Sequence, residues 1–226
     1  MLQTTTNFPP VESADTEGLL LFGGELSPEW ILDAYRHAIF PWPVFDDMEL
    51  MAWWSPDPRA IIELDKLHIS RRLRRTLASG KFEVTIDRDF EGVIRGCAMA
   101  LDREEATWLT PEMIEAYKRL HRLGYAHSVE VWHEGQLAGG TYGVALGAFF
   151  SAESMFYRVR DASKVALVHL VERLRLRGYE LLDIQQLTDH TASMGATEIP
   201  RAQYQQRLAR AIDPRVSFAT GLESLV

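Results

Sequence analysis

Hydrophobic and polar positions change their spacing several times along the chain, and each change predicts a new element. Alternating stretches indicate strands at LLLFGGEL, IIELDKLHI, KFEVTID, AHSVEVWH, LAGGTYGVALG and AFFSAESMF. Helical spacing of apolar residues indicates helices at SPEWILDAYRHAIF, SRRLRRTLASG, DRDFEGVIRGCAMA, TPEMIEAYKRLHRLG and DASKVALVHLVERLRLRG. Ser27, Ser70 and Thr110 stand where helix N-caps are needed, and Gly80 and Gly124 stand where helices end.

The stretch LLDIQQL, residues 181–187, begins as a buried strand but carries two polar side chains among its apolar ones. Alternation places Asp183 and Gln185 on one face, about 7 Å apart, and burial of either without a partner costs several kcal/mol. Because this strand follows a helix that itself follows a strand, we expect the crossover to be parallel. The polar pair therefore either closes a buried hydrogen-bond network or carries chemistry.

Prolines and aromatic residues interrupt the chain at FPWPVFDDMELMAWWSPDPRA, which cannot form one regular element. We place a domain boundary near Pro58, with a small α+β N-terminal domain over 1–58 and a larger domain over 59–226. The element order of the larger domain resembles the acetyltransferase-like (GNAT) fold, an α+β fold with a mixed sheet flanked by helices. That fold usually binds the CoA diphosphate with a glycine-rich loop, but the matching junction SMFYRVRDASKVAL has no glycine. We therefore expect the fold without its CoA site.

Composition narrows the classes of function. The 226 residues are 46% hydrophobic and 25% charged, as in a globular protein with a substantial core. A formal net charge of -8 means that any contact with nucleic acid requires a local basic patch. The single Cys97 excludes an internal disulfide, and no His and Cys spacing indicates a metal site. Without a signal segment or an apolar run of membrane length, we expect a cytoplasmic protein with no membrane contact.

Several motifs occur in a fixed order that is much more specific than any one of them. They are LFGGELSPEWILDAYRHAIFPW, WWSPDPRA, the pair DREEATWLT and HSVEVW, and ESMF followed by LLDIQQLTDHTASMGATEIPR. Over roughly residues 18 to 210 the sequence resembles the leucyl/phenylalanyl-tRNA protein transferases. The resemblance implies transfer of Leu or Phe, less often Met, from aminoacyl-tRNA to proteins with N-terminal Arg or Lys, which marks them for degradation. It also implies a monomer.

The chemistry that this resemblance implies needs little from the protein beyond positioning. An aminoacyl ester is already activated, so no ATP, metal or other cofactor is expected. The resemblance places Asp183, Gln185 and Glu153 at the reaction centre. We expect Gln185 to accept a hydrogen bond from the attacking amine, and Asp183 to stabilise the developing ammonium or relay its proton. Glu153 is expected to hold the terminal ribose or the acceptor amine and to favour a cationic N-terminus, and the alternative is a carboxylate paired with Arg158 or another basic residue.

Tryptophans outside the predicted elements are the second chemical signal. The resemblance assigns Trp42 and Trp108, with Tyr35 nearby, to the 3'-terminal adenosine of the tRNA, since aromatic faces stack on bases without needing a basic protein. Packing between domains is the alternative for these side chains, and we favour that alternative for Trp53 and Trp54.

The pocket for the transferred side chain should be apolar, because Leu and Phe offer no polar group. The resemblance suggests five lining residues, for which ordinary core packing is the alternative: Phe150, Met155, Leu170, Leu182 and Thr141. The flexible thioether of Met155 suits a pocket that accepts two shapes.

The segment RRLRR, residues 71–75, is the concentrated basic patch of the chain. On a helix Arg71, Arg74 and Arg75 share a face, so contact with the tRNA backbone is one interpretation and a solvated face is the other.

Two rival functions remain open from the residues alone. One is a CoA-dependent N-acetyltransferase on the same fold, and the other is a non-catalytic module that binds basic N-termini or tRNA ends. A hydrolytic triad at DHTAS is rejected, because neighbours in sequence rarely have triad geometry and no G-x-S-x-G motif is present. Asp189 and His190 are expected in a loop or a helix cap.

Overall fold

The computed structural model describes residues 7–45, 49–99, 109–213 and 216–218. Within these ranges the chain forms twelve strands, seven α-helices and a short 3-10 turn at Val11–Ser13. The strands are β1 (Leu19–Phe22), β2 (Phe40–Pro41), β3 (Val44–Phe45), β4 (Glu49–Leu50), β5 (Ala52–Trp54), β6 (Arg59–Ile62), β7 (Glu83–Ile86), β8 (Ala126–His133), β9 (Gln136–Leu146), β10 (Phe149–Tyr157), β11 (Leu181–Gln185) and β12 (Thr197–Ile199). The helices are α1 (Pro28–Arg36), α2 (Arg71–Ala78), α3 (Phe90–Ala98), α4 (Pro111–Arg122), α5 (Ala162–Leu176), α6 (Asp189–Ala192) and α7 (Arg201–Ala211).

The first part of the chain contains α1 and a three-stranded sheet of order β1-β5-β2. The hydroxyl of Ser27 accepts a hydrogen bond from the Trp30 N–H and so caps α1, as predicted. Trp53 is fully buried in this part, where its indole N–H donates to the Gly23 carbonyl and its ring lies against Phe8 and Trp30, while packing between domains stays a prediction. The proline-rich stretch does form strands, but only short ones that the alternation pattern does not reveal.

A seven-stranded sheet of order β12-β6-β11-β10-β9-β8-β7 forms the centre of the rest of the chain. Strands β10 and β11 are parallel, while the other neighbouring pairs in this sheet are antiparallel. The helix α5 connects the parallel pair, as expected for the crossover. This mixed sheet, flanked by helices, confirms the predicted α+β class, whereas the division of the chain at residue 58 stays a prediction.

Two core clusters cover the two faces of the large sheet. On one side the apolar face of α3, with Phe90, Val93 and Ile94, meets Tyr142 of β9, and α4 lies beside it. On the other side α5 covers the sheet, and most of its residues are buried. The helix α2 contacts α5 on this side.

One strand begins earlier than its sequence pattern predicts. The stretch IIELDKLHI was expected to be a strand throughout, but β6 runs from Arg59 to Ile62. A turn follows it at once, in which the Lys66 N–H donates to the Glu63 carbonyl at 2.9 Å. The shift brings Arg59 inside the central sheet. None of the helices within the described ranges is both long and apolar enough to cross a membrane.

Candidate functional site

The site lies where the two parallel strands stop pairing. Strands β10 and β11 are paired only from Phe149 with Leu181 to Ser151 with Asp183, although β10 continues along β9 as far as Tyr157. A bulge interrupts the pairing of β10 with β9 between Ala152 and Ser154, which leaves Glu153 as the extra residue. The unpaired part of β10 therefore faces an opening instead of its parallel neighbour.

A tight turn at the end of β11 changes the direction of the Gln185 side chain. Gln185 has a positive φ of 59°, and around it the Gln186 N–H donates to the Ile184 carbonyl at 2.7 Å, which is a γ-turn. The Gln185 N–H donates to Asp183 Oδ1 at 2.9 Å and holds the turn in place. Simple alternation of Asp183 and Gln185 on one face, predicted for an extended strand, does not hold at this point.

Asp183 is fully buried and its carboxylate is surrounded by hydrogen-bond donors. Arg59 donates twice, from Nε to Oδ1 at 2.9 Å and from Nη2 to Oδ2 at 2.7 Å. The Tyr204 hydroxyl donates to Oδ2 at 2.9 Å, and the Ser151 hydroxyl donates to it at 3.4 Å. With these contacts and the Gln185 N–H, the carboxylate is saturated, so Asp183 acts on a substrate only through its neighbours.

Glu153 is the carboxylate that opens onto the pocket. The Tyr117 hydroxyl donates to Oε2 at 3.1 Å and the Gln185 amide donates to Oε1 at 3.2 Å, while the hydroxyls of Tyr35 and Tyr117 are hydrogen-bonded at 2.9 Å. Burial raises the pKa of the Glu153 carboxyl to about 7, although hydrogen bonds from Ser151 and Tyr35 act in the opposite direction. The ion pair with Arg158 is not formed, since Arg158 Nη1 donates to the Leu137 carbonyl.

The amide of Gln185 connects the two carboxylates. Its Nε2 donates to Ser151 Oγ at 2.8 Å and to Glu153 Oε1. The Ser151 hydroxyl donates its proton to Asp183, so it accepts from Gln185, and this assigns the amide N–H group to the side of Ser151 and Glu153. Within the described residues the Gln185 Oε1 atom accepts no hydrogen bond, so it is available to a substrate.

A pocket of about 540 Å³ surrounds this cluster, a volume in the range of small-molecule sites. Its wall includes Phe40, Trp42, Thr141, Ala152, Glu153, Ser154, Met155, Tyr157, Ser163, Ile184, Gln185, Gln186, Thr188, His190 and Thr191. Aromatic and apolar groups come from β2, β10 and the residue after β2, and hydroxyls come from α5 and the segment around α6. Asp183 does not line this pocket.

The aromatic residues predicted for the adenosine occupy different environments. Trp42 lines the pocket and is 38% exposed, and its carbonyl accepts a hydrogen bond from the Trp54 indole at 2.8 Å. Tyr35 is 1% exposed, so its ring offers no face to a base and only its hydroxyl reaches the Glu153 network. Trp108 lies outside the described residues.

The residues predicted for the transferred side chain divide into two layers. Met155 and Thr141 line the pocket, and the Thr141 hydroxyl donates to the Ser154 carbonyl at 2.9 Å. Phe150, Leu170 and Leu182 are each at most 1% exposed and form part of the core cluster against which Met155 packs. The pocket for the side chain therefore stays a prediction, with Met155 at the boundary between the opening and the core.

The basic helix α2 stands beside the start of α5. Arg71, Arg74 and Arg75 are exposed, whereas Arg72 pairs with Asp161 at 3.0 Å, one residue before α5. Because Ser163 in the first turn of α5 lines the pocket, this ion pair places α2 next to that side of the pocket. Asp189 and His190 lie in the short helix α6, where Thr188 is the N-cap, and no triad forms there.

Comparison with known proteins shows the family of this chain. A family model described as Leucyl/phenylalanyl-tRNA protein transferase matches residues 61–209, and one for the N-terminal domain of the same family matches residues 24–57. The chain is 50% identical over 209 residues to the leucyl/phenylalanyl-tRNA--protein transferase of Stutzerimonas stutzeri, which covers 92% of each chain. It is 54% identical over 206 residues to that of Syntrophobacter fumaroxidans, which covers 91% of this chain and 87% of the relative. This chain belongs to the leucyl/phenylalanyl-tRNA protein transferase family.

Solved structures of similar shape are much more distant than these family members. L-PGS from Bacillus licheniformis is 12% identical with a TM-score of 0.42, over 75% of this chain and 54% of that one. A ribosomal-protein-alanine N-acetyltransferase from Brucella melitensis is 14% identical with a TM-score of 0.35, over 55% of this chain and 89% of that one. The assignment of the chain to its family therefore depends on the leucyl/phenylalanyl-tRNA protein transferase match. That match confirms the prediction of an aminoacyl-tRNA-dependent transferase.

Four residues of the site in this transferase were not predicted from the sequence. They are Arg59, Tyr117, Ser151 and Tyr204. Arg59 stands in the motif WWSPDPRA and precedes a buried apolar run, which is a weak sign of a buried, paired cation. The other three carry no local signal, because their partners are distant in sequence.

Proposed function

We propose that this chain transfers Leu or Phe, and less often Met, from aminoacyl-tRNA to the α-amine of proteins with N-terminal Arg or Lys. Transfer from aminoacyl-tRNA to protein follows from membership of the family. The specificity for the acceptor and the roles of the residues are our proposal. The observation that carries it is the Gln185 amide, which joins Glu153 and Ser151 at the wall of a pocket large enough for an aminoacylated nucleoside.

The terminal adenosine binds at the aromatic side of the pocket. Trp42 is 38% exposed at the rim and supplies the ring, while Phe40, two residues before it, is buried against Arg59 and supports this edge. Stacking of a base on one aromatic ring contributes about 1 to 3 kcal/mol. We retain Trp108 as the second stacking residue, and we assign Tyr35 to the support of Glu153 because its ring is buried.

The reaction forms an amide bond and breaks an ester bond. The nitrogen lone pair of the acceptor attacks the ester carbonyl carbon, the C–N bond forms, and the bond from carbon to the ribose oxygen breaks. Gln185 Oε1 accepts a hydrogen bond from the amine and orients it, which requires only the free acceptor that the amide has. The proton lost by nitrogen passes to Glu153 and from there to the departing ribose oxygen, so protons balance without a cofactor.

Glu153 also explains a preference for cationic acceptors. When it is ionised, its charge attracts the α-ammonium group and the side chain of an N-terminal Arg or Lys. The lower part of the pocket near Met155 receives the Leu or Phe side chain. The product is a protein with a new N-terminal Leu or Phe that a recognition protein of the N-degron pathway selects. We expect a monomer that works in the cytoplasm, where aminoacyl-tRNA is used.

Incubation with labelled Phe-tRNA and a peptide with N-terminal Arg tests the proposal. Labelled peptide formed without acetyl-CoA supports it. Unlabelled, acetylated peptide formed only when acetyl-CoA is added supports an N-acetyltransferase, and binding without product supports a non-catalytic module. Gln185→Glu and Asp183→Asn, assayed at saturating aminoacyl-tRNA, should each lower kcat by about tenfold or more. The control Gln136→Glu, at an exposed position at the start of β9, should not. Unchanged turnover in both site variants contradicts the proposed roles.

A further inference from the structure

Arg59 is a buried cation whose donors contact two separate parts of the chain. The side chain is 1% exposed, and its Nε and Nη2 atoms hold both oxygens of Asp183. Its Nη1 atom donates to the carbonyl of Ala38 at 3.0 Å, in the segment between α1 and β2. One guanidinium therefore connects the Asp183 carboxylate with the backbone that leads to Phe40.

Two aromatic rings enclose the same guanidinium. Its central carbon lies 4.7 Å from the ring centre of Phe40 and 4.7 Å from that of Tyr204. Phe40 lines the pocket two residues before Trp42, and Tyr204 reaches Asp183 with its hydroxyl. Movement of the guanidinium would therefore disturb both sides of the pocket, the aromatic edge and the Gln185 turn.

The cation is stable in this position because its partners compensate for its burial. Burial lowers the pKa of the Arg59 guanidinium, but the charge and hydrogen bonds of Asp183, together with Tyr204 and Glu153, raise it by more in total, so that the pKa is raised overall. A two-point contact between Arg and a carboxylate also fixes orientation, which a Lys ammonium at the same place cannot do.

We propose that Arg59 and Tyr204 are positioning residues for the transfer reaction, and that they position different parts of the pocket. Arg59 positions both the aromatic edge, through Ala38 and Phe40, and the Gln185 amide, through Asp183. The Tyr204 hydroxyl acts only on the Asp183 side. This inference rests on the proposed function, since it assigns adenosine binding to the first side and orientation of the amine to the second.

The two variants should consequently separate kcat from KM. Arg59→Lys keeps the charge but loses the two-point contact, so we expect kcat to fall and the KM for aminoacyl-tRNA to rise, each by about tenfold or more. Tyr204→Phe keeps the ring but loses one hydrogen bond, so we expect kcat to fall about 3- to 10-fold with KM unchanged.

A second arginine provides a matched control. Arg207 in α7 donates to both oxygens of Glu63 at 2.7 and 2.9 Å, immediately after β6, so this pair joins the same two elements as Arg59 and Tyr204. It lies outside the pocket wall. Arg207→Lys removes the same kind of contact and should leave kcat and KM within about twofold of the wild type, even where its melting temperature falls as much as that of Arg59→Lys.

The experiment measures steady-state kinetics, thermal unfolding, and binding of an amide-linked phenylalanyl-adenosine followed by tryptophan fluorescence. The inference is supported if Arg59→Lys weakens binding of this analogue about tenfold while Tyr204→Phe and Arg207→Lys do not. Equal kinetics and binding in Arg59→Lys and Arg207→Lys overturn it. If Arg59→Lys does not fold, Tyr204→Phe decides, and an unchanged kcat overturns it.

Formation of labelled product by the wild-type protein is a separate result. A wild-type protein that makes no product contradicts the proposed function, whereas an active wild type with indistinguishable Arg59 and Arg207 variants contradicts only the positioning inference.

Discussion

Replacement of Glu153 by Gln removes a carboxyl that the folded protein holds in an unfavourable place for a charge. Burial raises the pKa of this carboxyl from an ordinary 4.5 to about 7. At about 1.4 kcal/mol for each pKa unit, this difference amounts to about 3 kcal/mol of unfolding free energy between the protonated and ionised limits.

The sign of the effect follows from the two pKa values. Between pH 4.5 and 7 the unfolded chain has lost the Glu153 proton and the folded chain has kept it, so stability falls as the pH rises. Above pH 7 both states are ionised and the loss stays constant. Glu153→Gln has no such loss. As the pH rises from 5 to 7.5, the unfolding free energy of the variant relative to that of the wild type should therefore increase by about 2 kcal/mol.

Urea unfolding of both proteins at several pH values measures this gain, with Glu63→Gln as the control of opposite sign. The hydrogen bond from Arg207 lowers the pKa of Glu63. The stabilisation of the folded protein by this ionised carboxylate is therefore present at neutral pH and is lost as the pH falls. A constant difference between the wild type and Glu153→Gln from pH 5 to pH 7.5 refutes the reasoning. Activity should change in the other direction, because Glu153→Gln should lower kcat about a hundredfold and remove a rise of kcat with pH near 7.

Two further predictions concern the tRNA. Trp42→Ala and Trp108→Ala should each raise the apparent KM for aminoacyl-tRNA by roughly tenfold, because each removes a stacking face. The core control Trp53→Phe should leave this KM unchanged. An unchanged KM in the Trp42 and Trp108 variants contradicts the stacking assignment. Each Arg→Ala change at Arg71, Arg74 or Arg75 should reduce the slope of log affinity for tRNA against log salt by about 0.7 to 0.9, whereas Arg122→Ala in α4 should leave it unchanged. Equal slopes in all of these variants indicate that α2 is only a solvated face.

The elements that sequence predicts well are those that local chemistry determines. Ser27, Ser70 and Thr110 each accept a hydrogen bond from a backbone N–H three residues later, so the helices α1, α2 and α4 begin where their caps indicate. The strands β2 to β5 were not predicted, because strands of two or three residues in a proline-rich stretch are too short for an alternation pattern and depend on their pairing with other strands.

In the site, the sequence indicates which residues take part but not their geometry. Asp183, Gln185 and Glu153 could be named from the resemblance to a family, and all three fall in one network. Their geometry could not be predicted. Positive φ angles and bulges are often marked by glycine in the sequence, but here they occur at Gln185 and Glu153. Arg59 was missed since its partner Asp183 lies 124 residues away.

The two carboxylates of the site differ because their donors differ. Asp183 receives a guanidinium and lies behind the pocket wall, where a fixed charge can orient its neighbours without meeting the substrate. Among the residues that the structure describes, Glu153 receives neutral hydroxyl and amide donors, and burial raises its pKa to about 7 where it opens to the pocket. Two carboxylates with separated environments can divide positioning from proton transfer. Exchange of the roles would require Arg59 to face Glu153 instead, and β6 places it beside Asp183, with Ile61 paired to Asp183 in the sheet. The proposed division of roles therefore depends on the order of strands in the sheet.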